Sequence, residues 1–412
     1  MEILSFLEKK WPPRLWDLVK GAGEVAWGRG MALFLVGGAV RDVLLGRPSL
    51  DLDLVAEGSA LELLSSLGWE GARTYPRFGT AKLEGRGWTL DLASARREVY
   101  PRPGALPRVT QGSLNEDLRR RDFTINAMAV ALTPPSLGEL VDPFDGRADL
   151  EAGLLRVLHP KSFQDDATRM LRGVRYAGRF GFRLEGETER LLRRDLAHLD
   201  AISGDRLRRE LGHILREEEP ERALALGGEL GVLGQLSPAL QGDGWLGEKF
   251  AQARRHYSPD PDLYLALLAY RLPAAQLEGF LRRLNFPKGE ARLLRDTHEL
   301  QQQILLLPQL GPSQLYELLK GRSPIAIWAC ALATDSLAAR EKLLLFLKKW
   351  RYVKLSLRGE DLFRLGVAPG PTVGEFLRRL KEARLEGKVR DRRGEVRLVE
   401  EWLGASGPIL KD

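Results

Sequence analysis

The chain has 412 residues and a mass of 46.1 kDa, more than one compact core holds, so two or three domains are expected. With 44% hydrophobic and 29% charged residues it is neither collagenous, low-complexity nor disordered. Its net charge of +7 is concentrated in residues 341–412, where 17 basic residues oppose 11 acidic ones, a localisation that suits a polyanion such as RNA and equally a solvated basic face.

Residues 1–30 carry no motif and form an N-terminal extension. Ala32–Val36, Asp51–Val55, Thr80–Leu83 and Trp88–Ala93 are short apolar or alternating runs that predict strands. Val40–Leu45 and Ala60–Leu67 predict helices between them. From about Leu150 the spacing of apolar residues changes to three and four, which predicts helices over Ala167–Arg179, Arg206–Arg216, Asp262–Leu272 and Ala275–Leu284. The breakers Gly204-Asp205, Ser258-Pro259-Asp260-Pro261 and Gly311-Pro312-Ser313 predict helical hairpins rather than a fixed-period solenoid. A last unit begins near Leu355, where Pro369-Gly370-Pro371 opens a basic amphipathic helix, Val373–Leu385.

Single Cys330 excludes an intramolecular disulfide, and five scattered histidines lack zinc-ligand spacing. The longest apolar run, 324–333, falls far short of the roughly 20 residues a bilayer span needs, and Met1-Glu2-Ile3 opens without a basic leader. A cytoplasmic protein with no membrane partner is expected.

The chemistry concentrates in residues 35–53. Gly37 and Gly38 stand between an apolar strand and a helix, a turn that brings backbone N–H groups and the Arg41 charge toward a phosphate; a plain tight turn uses the same residues. On the next strand, alternation puts the Asp51 and Asp53 carboxylates on one face while Leu50, Leu52 and Leu54 face the core. Paired carboxylates repel unless a cation lies between them, and oxygen ligands suit Mg²⁺ bridging a triphosphate for in-line displacement. A solvated strand edge and a nucleotide-sugar metal motif show the same Asp-x-Asp. Asp91, on the predicted strand Trp88–Ala93, completes such a site or lies at a strand end.

Gly37-Gly38-Ala39-Val40-Arg41-Asp42 followed by Asp51-x-Asp53 resembles the first motif of bacterial class II tRNA nucleotidyltransferases and poly(A) polymerases, within the polymerase-β-like superfamily. Four further stretches in the family's order are similar to its ribose, hinge, nucleobase and helical motifs: Arg120–Ala127, Asp142–Leu150, Asp165–Arg169 and Ser203–Leu215. Residues 355–389 resemble its C-terminal tail, whereas 216–350 match only in helical character. Arg121 and Asp122 offer a donor fork and an acceptor suited to a ribose hydroxyl, or a buried ion pair. Asp166 and Arg169, three apart on a predicted helix, complement the amino group and ring acceptor of cytosine or adenine and clash with uracil and guanine, unless they are a surface ion pair. Arg172 and Arg175 continue that stripe toward the nucleotide or toward solvent.

The resemblance implies an α/β nucleotidyltransferase head with a mixed sheet, followed by all-α neck, body and tail. The boundaries are an extension at 1–30, head 31–141, neck 142–215, body 216–350 and a basic, tRNA-binding tail 351–412. It implies Asp51 and Asp53 as Mg²⁺ ligands, Asp91 as a third catalytic carboxylate, and Gly146 as a hinge. Gly37, Gly38, Arg41, Arg121, Asp122, Asn126, Asp166, Arg169, Arg172 and Arg175 are implied as nucleotide-binding. ATP, CTP and the acceptor stem and elbow of tRNA are the implied partners, and addition of CCA the implied reaction. The base motif opens with Asp165-Asp166 where the family more often has Glu-Asp. The Pro/Gly-rich stretch Arg96–Ser113 occupies the place of the loop the family uses to pass from C to A addition, which argues against a CC-only enzyme and leaves A-only and poly(A) activities open.

Overall fold

Two short amphipathic helices precede the sheet: α1 (Glu2–Lys10) and α2 (Pro13–Gly28), the second opened by Pro13 at its first position and burying Leu15, Val19, Ala22 and Ala26. The structure is a computed structural model describing residues 2–405 except Pro48, Pro103, Leu106 and 257–259. Ser258 and Pro259 of the expected break, Pro103 and Leu106 of the expected loop and the last residues of the tail therefore lie outside the described residues. The chain divides into two compact units, 1–243 and 244–412.

The first unit holds the sheet. Its elements are β1 (Ala32–Val36), α3 (Gly38–Leu44), β2 (Asp51–Glu57), α4 (Ala60–Leu67), β3 (Arg73–Tyr75), β4 (Thr80–Gly85) and β5 (Trp88–Ser94). They are followed by β6 (Arg96–Val99), β7 (Arg108–Gln111), α5 (Leu114–Arg119), β8 (Ala129–Ala131) and β9 (Leu140–Val141). Seven strands pair in the order β3-β4-β5-β2-β1-β8-β9, with β2 and β5 parallel and the other pairs antiparallel. This is the mixed sheet expected. β6 and β7 form a separate hairpin within the expected loop; Arg96–Val99 and Arg108–Gln111 are too short and polar to read as strands from sequence.

Local sequence sets the elements around the site. Ser59 caps α4 by accepting from the Glu62 N–H, and Ser113 with Glu116 closes a capping box on α5. Leu52 and Leu54 are fully buried on β2 as expected, but Leu50 is 39% exposed, because it precedes the strand and has no sheet face to bury against.

Helices follow: α6 (Gly146–Glu151), α7 (Ser162–Asp165), α8 (Thr168–Phe180), α9 (Gly186–Asp195), α10 (Gly204–Leu215) and α11 (Pro220–Glu229). Two two-residue strands, Leu154–Leu155 and Arg183–Leu184, interrupt a region expected to be wholly helical. α8 packs against α10 and α11, and Gly178 permits the close approach of α11: a Cβ there would lie 2.7 Å from the Ala223 nitrogen. Asp166 is not on a helix with Arg169. α7 ends at Asp165, and Asp166 is extended (φ −143°, ψ 99°). Its carboxylate accepts from the Thr168 N–H and so opens α8.

The second unit is helical in its described residues. Pro261–Ala269 and Ala274–Arg283 lie where the periodicity places helices, and Pro371–Leu385 is the amphipathic helix expected near the C-terminus. Leu357, Leu362, Val367, Phe376, Leu380 and Val399 form a small core under that helix. Among the described residues no helix is long and apolar enough to cross a membrane.

Candidate active site

β1 ends at Val36 and the chain turns through Gly37 at φ 73°, a conformation glycine alone adopts without strain. A side chain there would also collide with Arg121 Nη1. The turn therefore needs glycine twice over, for its backbone and for its space. Arg41, one turn into α3, is 4% exposed and donates to Asp42 Oδ1 at 2.7 Å and to Asn126 Oδ1. Its guanidinium lies over the Phe180 ring at 4.6 Å and the Tyr176 ring at 5.4 Å.

β2 and β5 run parallel with Asp51 opposite Thr89 and Asp53 opposite Asp91. Asp51 accepts from the Thr89 hydroxyl, and Asp91 pairs with Lys82 at 3.7 Å. Asp53 opens onto the cleft, and desolvation by the protein around it raises its proton affinity; Arg121 opposes this, and Asp91, Asp51 and Asp117 reinforce it. Asp91 is also raised, by burial first, with Lys82 opposing and Asp51 reinforcing. Desolvation dominates both shifts, and repulsion between neighbouring carboxylates adds to it.

No three His, Cys, Asp or Glu side chains among the described residues are grouped tightly enough to hold a metal ion by themselves. A small hard dication needs only one or two protein carboxylates when triphosphate oxygens and water complete its shell. Asp51 and Asp53 fit that donor set.

Facing these strands is a cleft of about 670 Å³. Of the residues expected from sequence, Gly38, Arg41, Asp53, Asp91, Arg121, Asp122, Asn126, Asp166, Arg169, Arg172 and Arg175 line it. Asp51, Gly37 and Gly146 do not. Gly146 has no left-handed backbone; a side chain there would strike the Thr124 carbonyl oxygen, so close packing is what requires glycine.

Sequence reading left out Arg96, Glu98, Tyr100, Arg120, Tyr176 and Arg179, which also line the cleft. Tyr176 and Phe180 are the detectable signal: they alternate with Arg175 and Arg179 on α8, whose guanidinia lie 4.7 and 5.3 Å from the two rings. Glu98 and Tyr100 lie on or beside the hairpin and carry no recognisable spacing.

The ion pairs are cross-linked. Asp117 is fully buried and accepts from Arg120 at 2.7 Å and Arg121 at 3.0 Å. Burial pushes its pKa up, but the two guanidinia overcome this and hold it below the usual range. Arg121 thus pairs with Asp117 and not with its neighbour Asp122, because α5 turns Asp117 one helical step back toward it. Arg120 also reaches Glu98 of the hairpin at 3.2 Å, and its carbonyl accepts from Arg169 Nη2 at 2.6 Å. Arg175 and Arg179 share Glu217 at 3.3 and 3.8 Å.

In the second unit, residues 348–358 hold Lys348, Lys349, Arg351, Lys354 and Arg358 with no acidic residue among them. All five are exposed, and none forms an ion pair among the described residues. Tyr352 between them is 63% exposed, with the Arg351 guanidinium 5.0 Å from its ring.

Strand-borne carboxylates beside an arginine-rich, nucleotide-sized cleft are the arrangement expected of a nucleotidyltransferase. Residues 33–156 match the Poly A polymerase head domain, and residues 181–242 a probable RNA- and SrmB-binding site of polymerase A. The A-adding tRNA nucleotidyltransferase of Halalkalibacterium halodurans is 33% identical over 95% of this chain and 94% of its own length. The enzyme of that name from Aquifex aeolicus is 36% identical over 84% of this chain, which spans only 44% of that relative. The CC-adding tRNA nucleotidyltransferase of Deinococcus radiodurans is 34% identical over 91% of this chain and 90% of its own. In structure, the Thermotoga maritima CCA-adding enzyme complexed with tRNA superposes with a TM-score of 0.78 and 30% identity over 97% of this chain and 98% of that one. The chain belongs to the tRNA nucleotidyltransferase and poly(A) polymerase family.

Proposed function

We propose that this protein adds the 3′-terminal CCA of tRNA from CTP and ATP, one nucleotide at a time and without a nucleic-acid template. The observation that carries this reading is the meeting, in one cleft, of Asp53 and Asp91 with Asp166 and Arg169. The first pair serves phosphoryl chemistry; the second has the polarity that accepts C and A. Likeness to A-adding, CC-adding and CCA-adding proteins supports the substrate class.

In the reaction the primer 3′-oxygen attacks the α-phosphorus, its bond to the bridging oxygen breaks, and pyrophosphate leaves. Gly38 and Arg41 contact the triphosphate, joined by Arg172 and Arg175, whose charges offset that of the departing pyrophosphate. Asp91, with its raised proton affinity, takes the proton of the 3′-hydroxyl. Asp51 and Asp53 would hold Mg²⁺, which would supply Lewis-acid stabilisation of the charge that develops on the triphosphate. Arg121, Asp122 and Asn126 fix the sugar, and Gly37 keeps the turn tight against Arg121.

Asp166 accepts from the exocyclic amino group of cytosine or adenine while Arg169 donates to the ring nitrogen. Uracil and guanine present a carbonyl and a ring N–H at those positions, setting acceptor against acceptor and donor against donor. Positioning and charge supply most of the rate, since phosphoryl transfer asks for little covalent assistance. The boundary between head and neck falls near Gly146, which is packed tightly there and so acts as a pivot only if that contact opens, and the tail at 351–412 holds the tRNA elbow through phosphates. The activity is placed in the cytoplasm, with the substrate tRNA.

A second reading, an A-adding specialist, is favoured by relatives named as A-adding. One experiment separates them: protein and Mg²⁺ are incubated with a tRNA ending at the discriminator base, at C or at CC, with CTP, ATP or both, and the 3′ ends are sequenced. Growth of the shortest tRNA to full CCA establishes the first reading. Extension of the CC-ended tRNA alone establishes the second, and addition that stops at CC overturns both.

A further inference from the structure

The carboxylate of Asp166 is not loose in the cleft. Oδ1 accepts from the Thr168 N–H at 3.0 Å, the Thr168 hydroxyl at 2.7 Å and Arg206 Nη2 at 2.8 Å. Oδ2 accepts from that same Arg206 atom, also at 2.8 Å. A carboxylate oxygen has two lone pairs, so Oδ1 is saturated and the remaining acceptor capacity lies on Oδ2. Arg206 sits on α10, forty residues from Asp166, and is not among the residues lining the cleft. Arg169 is held in a matching way, donating to the Ser162 hydroxyl and the Arg120 carbonyl, both at 2.6 Å.

We propose that Arg206 is a positioning residue for base selection: it locks the Asp166 carboxylate so that only Oδ2 faces the base, and thereby enforces discrimination against uracil and guanine. The proposal rests on the assignment of Asp166 to base recognition. Two torsions move an aspartate carboxylate, and Thr168 engages one oxygen only. Without Arg206 the group rotates about that anchor, and the free lone pair of Oδ2 is no longer held in one direction to meet the amino group. The correct bases lose a hydrogen bond that the wrong bases never made, so the discrimination ratio falls while the chemistry of Asp53 and Asp91 is untouched.

The test measures kcat/KM for CTP, ATP, UTP and GTP on tRNA primers ending at the discriminator base and at CC, in the native protein and in Arg206→Gln, Arg206→Lys and Asp166→Asn. Arg206→Gln is expected to lower CTP-over-UTP discrimination at least about tenfold, the weight of one hydrogen bond to a charged group. The loss is expected mainly in KM for CTP and ATP. Arg206→Lys, which returns a donor cation, recovers most of the discrimination. Arg206→Gln with native discrimination, beside an Asp166→Asn protein that has lost it, overturns the role of Arg206 and leaves the reading of Asp166 standing. Native discrimination in both overturns the reading of Asp166 itself. An equal fall in kcat for all four nucleotides that Arg206→Lys does not repair also overturns the proposal, since it marks a purely structural residue.

Discussion

Asp122, buried, and Arg172, partly exposed, lie fifty residues apart in sequence and pair at 2.7 Å, which ties the loop after α5 to the middle of α8. Asp122 also accepts from the Asn126 amide at 2.9 Å and the Phe123 N–H at 2.9 Å. Burial alone pushes this carboxyl up, but the Arg172 charge and the hydrogen bond from Asn126 outweigh it and bring its pKa to about 2.

This pair makes stability depend on acid in a defined window. A carboxyl whose folded pKa is depressed contributes stability that is complete above its ordinary value of 3.8 and lost as pH falls toward 2. The difference corresponds to about 2 kcal/mol. Asp122→Asn is expected to lower the melting temperature at neutral pH, with the gap to the native protein closing between pH 3.8 and 2 in thermal melts.

Asp53 shifts the opposite way, and its sign predicts the acid limb of activity. In the proposed role of cation ligand it acts ionised, so turnover is expected to fail on acidification before an ordinary carboxylate would protonate. Arg121 opposes the rise; Arg121→Gln therefore moves the acid limb of the kcat profile to higher pH. Asp53→Ala abolishes transfer and leaves tRNA affinity, measured by filter binding, nearly unchanged.

Gly37→Ala combines two penalties, a residue other than glycine at φ 73° and a methyl group against Arg121. A stability loss of about 1–3 kcal/mol is expected in denaturant titration, with a rise in KM for both nucleotides. Gly146→Ala serves as a comparison: its cost arises mainly from the Thr124 carbonyl.

The cations around Tyr352 predict an RNA-binding face in the second unit. Replacing Lys349 or Lys354 by Glu weakens tRNA binding and lowers the slope of log affinity against log salt by about one for each phosphate no longer neutralised. Tyr352→Ala lowers affinity with the salt slope unchanged, because stacking on a base releases no counterion. Neither change affects the pH dependence set by Asp53.

Much of this molecule is legible one segment at a time. Strand alternation in 51–54, the glycine turn at 37–38 and the helix over 168–180 are local properties, so periodicity and turn chemistry place Asp53, Arg41, Arg172 and Arg175 near their observed positions. The helices of residues 2–28 carry a helical period in Leu15, Val19, Ala22 and Ala26 but no motif that ties them to the site, whereas the hairpin of β6 and β7 is not legible in this way because no apolar face marks the period. What sequence could not decide is which cation meets which carboxylate. Arg120, Arg121, Arg169, Arg172 and Arg206 are long side chains offered to Asp117, Asp122, Asp149, Asp165 and Asp166, and spacing allows many partnerships. The packing of α8 and α10 selects Asp122 for Arg172 and Asp166 for Arg206, and the turn of α5 selects Asp117 for Arg121. Sequence determined the chemical groups and the local frames that carry them; tertiary structure decided their partners, because a buried charge is tolerated only where folding brings its counterpart within a few ångströms.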